Sequence, residues 1–156
     1  MKALSLWQPW ASLMALGLKK IETRGWYCGH RGPLVIAATK TWNRDVFNEL
    51  HAVAARLRIW DDNESTWRMI VDALATAGVK RLSDLPLGKA LCVVNVTGCE
   101  RTLFAARTRS EEAFGDFSAG RWAILTDGCK RFPEPIPCSG KQMLWDFPMT
   151  TDLIPR

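Results

Sequence analysis

Apolar residues in this chain come in two kinds of run. Short dense runs bounded by glycine, proline or charge read as strands, and longer stretches with apolar positions three and four apart read as helices. Lys2 to Leu6 is the first strand. Pro9 opens a helix over Trp10 to Leu16, since proline is tolerated in the first turn, and Gly17 stops it. Ile21 to Arg24 is a second strand, followed by a loop marked by Gly25, Gly29, Gly32 and Pro33, and Leu34 to Ala38 is a buried strand. Asn43 caps a helix from about Arg44 to Arg58, in which Val46, Phe47, Leu50, Val53, Ala54 and Leu57 fall at helical spacing. After a polar linker, Asp61 to Ser65, a further helix runs from about Thr66 to Ala77 and ends at Gly78. Ala90 to Thr97 is a valine-rich strand. Ser110 is placed to cap a short helical turn through Phe114, with Glu111 and Glu112 at its positive end. Arg121 to Thr126 is another strand, and Pro133, Pro135 and Pro137 lead to a closing segment around Leu144 to Phe147. The expected class is α+β, with a small curved sheet or barrel.

Composition narrows this picture. A chain of 156 residues fits one domain, and that length buries enough surface to need neither metal nor disulfide. The five cysteines, an odd number with no C-x-x-C pair, read as reduced thiols. Cys28, His30, Cys129 and Cys138 could be grouped as zinc ligands, but structural zinc ligands come in tighter pairs, and scattered packing cysteines are the better reading. No cofactor is expected. The early apolar run is interrupted by Gln8, Pro9 and two tryptophans, and no run approaches the ~20 residues of a membrane span, so the expectation is a cytoplasmic protein with no membrane partner. The net charge of +5 suits an anionic partner, nucleic acid above all. Basic residues cluster at Lys19, Lys20 and Arg24, at Arg101, Arg107 and Arg109, and at Lys130 and Arg131.

The sharpest signal is N-terminal: Ser5-Leu6-Trp7-Gln8-Pro9-Trp10-Ala11-Ser12-Leu13, then Gly17-Leu18-Lys19-Lys20-Ile21-Glu22-Thr23-Arg24. This resembles the ASCH domain family of the PUA-like superfamily, with its S-x-x-Q-P-W-A-S-L opening and G-x-K-x-x-E-x-R motif. Ala37-Ala38-Thr39-Lys40, the stretch from Gly115 to Ala123, and Pro135-Ile136-Pro137 through Gly140-Lys141-Gln142 to Leu144-Trp145 are similar to later family segments. The resemblance implies a PUA-like β-barrel with flanking helices, one domain over residues 1–156 with a helical insertion at about 43–85. It also implies a cleft lined by Lys19, Glu22 and Arg24.

The residues support part of that. Glu22 and Arg24 are two apart on a strand and share a face, so the carboxylate can hold a guanidinium that grips phosphate. Alternation puts Lys20 on that face, whereas the family register favours Lys19. Of the eight tryptophans, Trp10 is the expected cleft residue, able to stack on a base, while Trp145 reads as structural. Ser5 and Gln8 could read a base edge or satisfy backbone at the helix start. Lys40 and Lys141 could add phosphate contacts.

Two functions are open. The first is a binding module for single-stranded RNA or a modified nucleotide, using Ser5, Gln8, Trp10, Arg24, Lys40 and Lys141. The second is a hydrolase of RNA or of a modified nucleoside, with Lys19 and Glu22 as catalytic residues. The resemblance implies the second through small bacterial relatives that act as amidohydrolases on N4-acetylcytidine with a lysine, a threonine and a glutamate. Here the threonine position holds Glu22, and the adjacent Thr23 should point to the other face. Glu111, Glu112 or Asp116 could supply the later carboxylate. A metal-dependent nuclease would need clustered carboxylates, and Asp61, Asp62 and Glu64 are clustered, but in the linker.

Overall fold

A computed structural model describes residues 1–55, 65–151 and 154. The elements are β1 (Lys2–Leu6), α1 (Trp10–Ala15), β2 (Ile21–Arg24), β3 (Gly32–Ala38), α2 (Arg44–Ala55), α3 (Ser65–Thr76), β4 (Lys89–Arg101), α4 (Arg109–Ala113), β5 (Trp122–Pro137) and β6 (Leu144–Asp146). The strands form one six-stranded sheet in the order β2-β5-β4-β3-β1-β6. Only β1 and β3 pair in parallel; the other neighbours are antiparallel. The sheet curls into half a barrel with helices flanking it, an α+β arrangement consistent with a PUA-like fold.

Alternation along the strands divides the core in two. Leu4 and Leu6 of β1, Leu34 and Ile36 of β3, Cys92 and Val94 of β4 and Ile124 of β5 pack beneath Ala11 and Met14 of α1. Ala3, Val35, Ala37 and Val93 face the other way, onto Phe132, Trp145 and Phe147. A separate core joins the helices. Leu50 and Val53 of α2 and Ile70, Val71 and Leu74 of α3 enclose Leu13 of α1 and Phe114 after α4. That third core anchors α3 against α1, with Trp10, Trp42 and Trp67 partly buried around it.

Several boundaries differ from expectation. The helix predicted to reach Arg58 is described to Ala55, and the acidic cluster Asp61, Asp62 and Glu64 lies outside the described residues. Asn43 does cap α2, its Oδ1 accepting from the amides of Asp45 and Val46 at 3.1 Å each. Thr108, not Ser110, caps α4. Its backbone is extended and its hydroxyl accepts from the Glu111 amide at 3.2 Å, while Ser110 lies inside the helix. The largest difference is β5, which runs on to Pro137 instead of ending near Thr126. Pairing passes from Cys92↔Arg131 to Ala90↔Ile136, so Pro133 and Pro135 fall in a bulge where no ladder N–H is needed.

No helix among the described residues is long and apolar enough to cross a membrane. Nor do Cys28, His30, Cys129 and Cys138 gather. Among the described residues, no three His, Cys, Asp or Glu side chains are placed to hold a metal ion.

Candidate functional site

Helix α1, strand β2, helix α3 and the segment after α4 surround a cavity of about 440 Å³. Trp10, Trp67, Ile70 and Phe114 give it apolar walls, and Lys19, Glu22, Arg24 and Asp116 give it charge. Local sequence explains this convergence. Gly17, at φ +72°, turns the chain sharply off α1, and β2 begins only at Ile21. Lys19 therefore precedes the strand, where alternation does not govern direction, and it turns inward.

The Lys19 side chain is fully buried. Its Nζ donates to the carbonyls of Ile21 and Phe114, the latter at 2.9 Å, and lies 3.5 Å from Glu22 Oε2. Two of the three ammonium protons are thus held by carbonyls, and the Glu22 carboxylate supplies the opposite charge. Lys20 is exposed, and its backbone amide donates to Glu111 Oε1 at 2.5 Å. The choice between the two lysines thus falls to Lys19.

Glu22 is the pivot of the charged group. One oxygen faces Lys19 and the other lies 3.1 Å from Arg24 Nε. Arg24 Nη2 donates to the Ser5 carbonyl at 3.0 Å. The Arg24 Nε is buried, and its approach to Glu22 is too poorly aligned for a hydrogen bond, so among the described residues it has no hydrogen-bond partner. The guanidinium is held in place on one side while 28% of its side chain stays exposed.

A second, wider groove of about 680 Å³ adjoins the cavity and shares Ser5, Trp7, Arg24 and Thr39 with it. Lys40 and Lys141 line it, so Arg24, Lys40 and Lys141 meet from three distant stretches of chain. Trp7, 49% exposed, stands between the two spaces.

Other expected residues take different places. Gln8 is completely buried, its Nε2 donating to the Pro86 carbonyl at 2.7 Å and its Oε1 accepting from the Ser12 amide at 3.1 Å. It secures the start of α1 and does not line the cavity. Ser5 does line it, but its hydroxyl accepts from Trp145 Nε1 at 3.0 Å. That hydroxyl is also crowded by Gly140, where an added Cβ would sit 2.5 Å away. Trp145 is buried, in keeping with a structural role.

Thr23 departs from the simple alternation rule. It lines the cavity, because the loop after α4 crosses the edge of β2 and the Thr23 hydroxyl accepts from the Asp116 amide at 3.2 Å. Asp116 pairs with Arg121 at 3.3 Å, and Arg121 Nη2 donates to the Thr23 carbonyl at 3.2 Å. Hydrogen bonds from Ser118, then the Arg121 charge, hold the Asp116 carboxyl below the usual carboxylate range. Glu111 turns out to be a buried strut. Its two oxygens accept from the amides of Lys20 and Ile21, which pins the start of β2. Arg121 and Trp67 were not singled out from sequence. Arg121 sits in the Gly115-to-Ala123 stretch that suggested a family loop, whereas nothing local distinguishes Trp67.

The family model for the ASCH domain matches residues 4–132. The chain belongs to the ASCH domain family. It is also 32% identical over 146 residues to activating signal cointegrator 1 of Mus musculus and to that of Homo sapiens. These alignments take in 91% of this chain but 21% of each cointegrator, so the chain spans about a fifth of the length of the curated relatives it matches. The matched region holds every residue of the charged cavity, from Lys19 to Arg121.

Proposed function

We propose that this ASCH domain binds single-stranded nucleic acid, RNA in the first instance, with one unstacked or modified base in the cavity and the adjoining phosphates in the basic groove. Family membership and the likeness to the cointegrator suggest a nucleic-acid-binding domain. The observation that carries the finer reading is the junction of the two spaces at Arg24. An aromatic-walled cavity of about 440 Å³ is of a size for one base, and it opens beside Arg24, Lys40 and Lys141. Trp10 and Trp67 offer rings for stacking, and Glu22 offers a carboxylate for base N–H donors. Helix α3, in the stretch read as an insertion, supplies part of the wall through Trp67 and Ile70.

The test is a fluorescence anisotropy titration with a labelled ten-nucleotide RNA, its DNA counterpart and a duplex, over a range of salt. Single strands should bind better than the duplex, with affinity falling log-linearly in salt as counterions are released. No binding of any strand at low salt would sink the proposal.

Hydrolysis of a modified nucleoside is the second reading, favoured by one observation: Thr23 lines the cavity together with Lys19 and Asp116. Against it stand the three acceptors around Lys19 Nζ and the engagement of the Thr23 hydroxyl with Asp116. Chromatography of N4-acetylcytidine incubated with the protein decides between them. The binding reading expects no product, and deacetylation abolished by Thr23→Ala would establish the enzyme.

A further inference from the structure

At the end of β2 the sheet register aligns Arg24 with Trp122 of β5, and Trp122 with Arg101 of β4. Directly paired residues share a face of the sheet. Neighbouring strands lie about 4.8 Å apart, so this row carries on about 10 Å from Arg24. The Arg101 guanidinium lies over the Trp122 ring, 4.0 Å from its centroid, and its Nη1 donates to the Gly120 carbonyl at 3.1 Å. Tyr27, in the loop after β2, meets the same indole edge to face, with ring centroids 4.9 Å apart and planes at 71°.

Packing explains the half-burial of Trp122, which is covered by both neighbours. It does not explain Tyr27, which is 53% exposed although its ring is braced against Trp122. A large apolar ring left open to water, held in one orientation and set beside a fixed cation, is already organised to bind. Little side-chain freedom remains to be lost when a flat partner covers it.

We propose that Tyr27, Trp122 and Arg101 form a second nucleotide subsite, in which the base next to the one in the cavity stacks on Tyr27 and its phosphate meets Arg101. This rests on the cavity reading above and extends it from one nucleotide to at least two. The occupant is an unpaired nucleotide, because a base inside a duplex has no free face to offer Tyr27. Trp122 is a positioning residue: it sets the Tyr27 ring and the Arg101 guanidinium at a fixed distance from each other.

The experiment uses the full chain and a fluorescein-labelled ten-nucleotide RNA, with Tyr27→Ala, Tyr27→Phe, Arg101→Ala and Arg24→Ala compared by anisotropy. Tyr27 is exposed, and thermal melts by circular dichroism check that its variants stay folded. Tyr27→Ala should weaken binding about ten-fold, as loss of one stacked base does. Tyr27→Phe should restore affinity to within about two-fold, since stacking needs the ring and not the hydroxyl. Arg101→Ala should lower the salt slope by about one phosphate contact. If Tyr27→Ala binds like wild type while Arg24→Ala does not, the second subsite is refuted and the cavity reading stands. If the wild-type protein binds no strand, both fall together.

Discussion

The inner end of the cavity and its rim are both charged, but they are built in opposite ways. At the inner end, Lys19 is fully buried, donates to two carbonyls and is paired with one carboxylate. At the rim, Arg24 is satisfied on one side only, while Lys40 and Lys141 are exposed around a groove. A fully buried, paired group sets shape; a partly exposed one has capacity left for a ligand. Charge in a cleft is therefore not one property. Lys19 holds Glu22 in position, and the basic groups outward from Glu22 are the ones proposed above to meet phosphate.

The largest expected effect lies at the inner end. Lys19→Ala leaves Glu22 without its ammonium and two carbonyls without donors. Breaking a buried pair from one side costs about 3–5 kcal/mol, so urea denaturation should show a large drop in midpoint. A Lys19→Ala protein of wild-type stability would break the distinction between the two ends. Arg24→Ala should reverse the balance, costing at least about ten-fold in RNA affinity through a lost charge-assisted contact, with a smaller stability change than at Lys19. Next come Lys40→Ala and Lys141→Ala. Each should reduce the salt slope by about 0.7, the single-strand value for one contact, and leave stability within about 0.5 kcal/mol. An unchanged slope in both would remove the groove from the account.

The smallest effect concerns Asp116. Its carboxyl is held below the usual range by Ser118 and then Arg121, so the folded state favours the ionised form. The stability this contributes is present above the ordinary carboxylate range and is lost as pH falls through the lowered value. With 58% of the side chain exposed, solvent screening keeps it below about 0.5 kcal/mol. Melts of Asp116→Asn against wild type should show a slight deficit at pH 7 that shrinks as pH falls below the ordinary carboxylate range; a deficit that grows on acidification would reverse the sign.

Local patterns in the sequence were informative where a single rule acts. Asn43 at a helix start and valine-rich β4 follow from spacing and composition, and the structure has them. The family motif located Lys19, Glu22 and Arg24 in a common cavity, which strand alternation alone would have assigned to Lys20. What stayed hidden depends on contacts distant in sequence. Gln8 is consumed by Pro86, 78 residues away, and the Ser5 hydroxyl by Trp145, 140 residues away. Thr23 reaches the cavity only because Asp116 crosses the β2 edge. The prolines of β5 read as a strand end, since a bulge that tolerates them has no local signature. Tyr27 carried no motif, and its importance arises from a strand register that brings Arg24, Trp122 and Arg101 into one row.

The central claim, that the aromatic cavity takes a base while Arg24, Lys40 and Lys141 take phosphate, is tested most directly by photo-crosslinking. A ten-nucleotide RNA carrying 4-thiouridine at each position in turn is irradiated with the protein, and the adducts are mapped by mass spectrometry. Adducts are expected on Trp10 or Trp67 from one nucleotide and on Tyr27 from its neighbour. Adducts confined to the opposite face of the sheet, around Phe132 and Phe147, would contradict it.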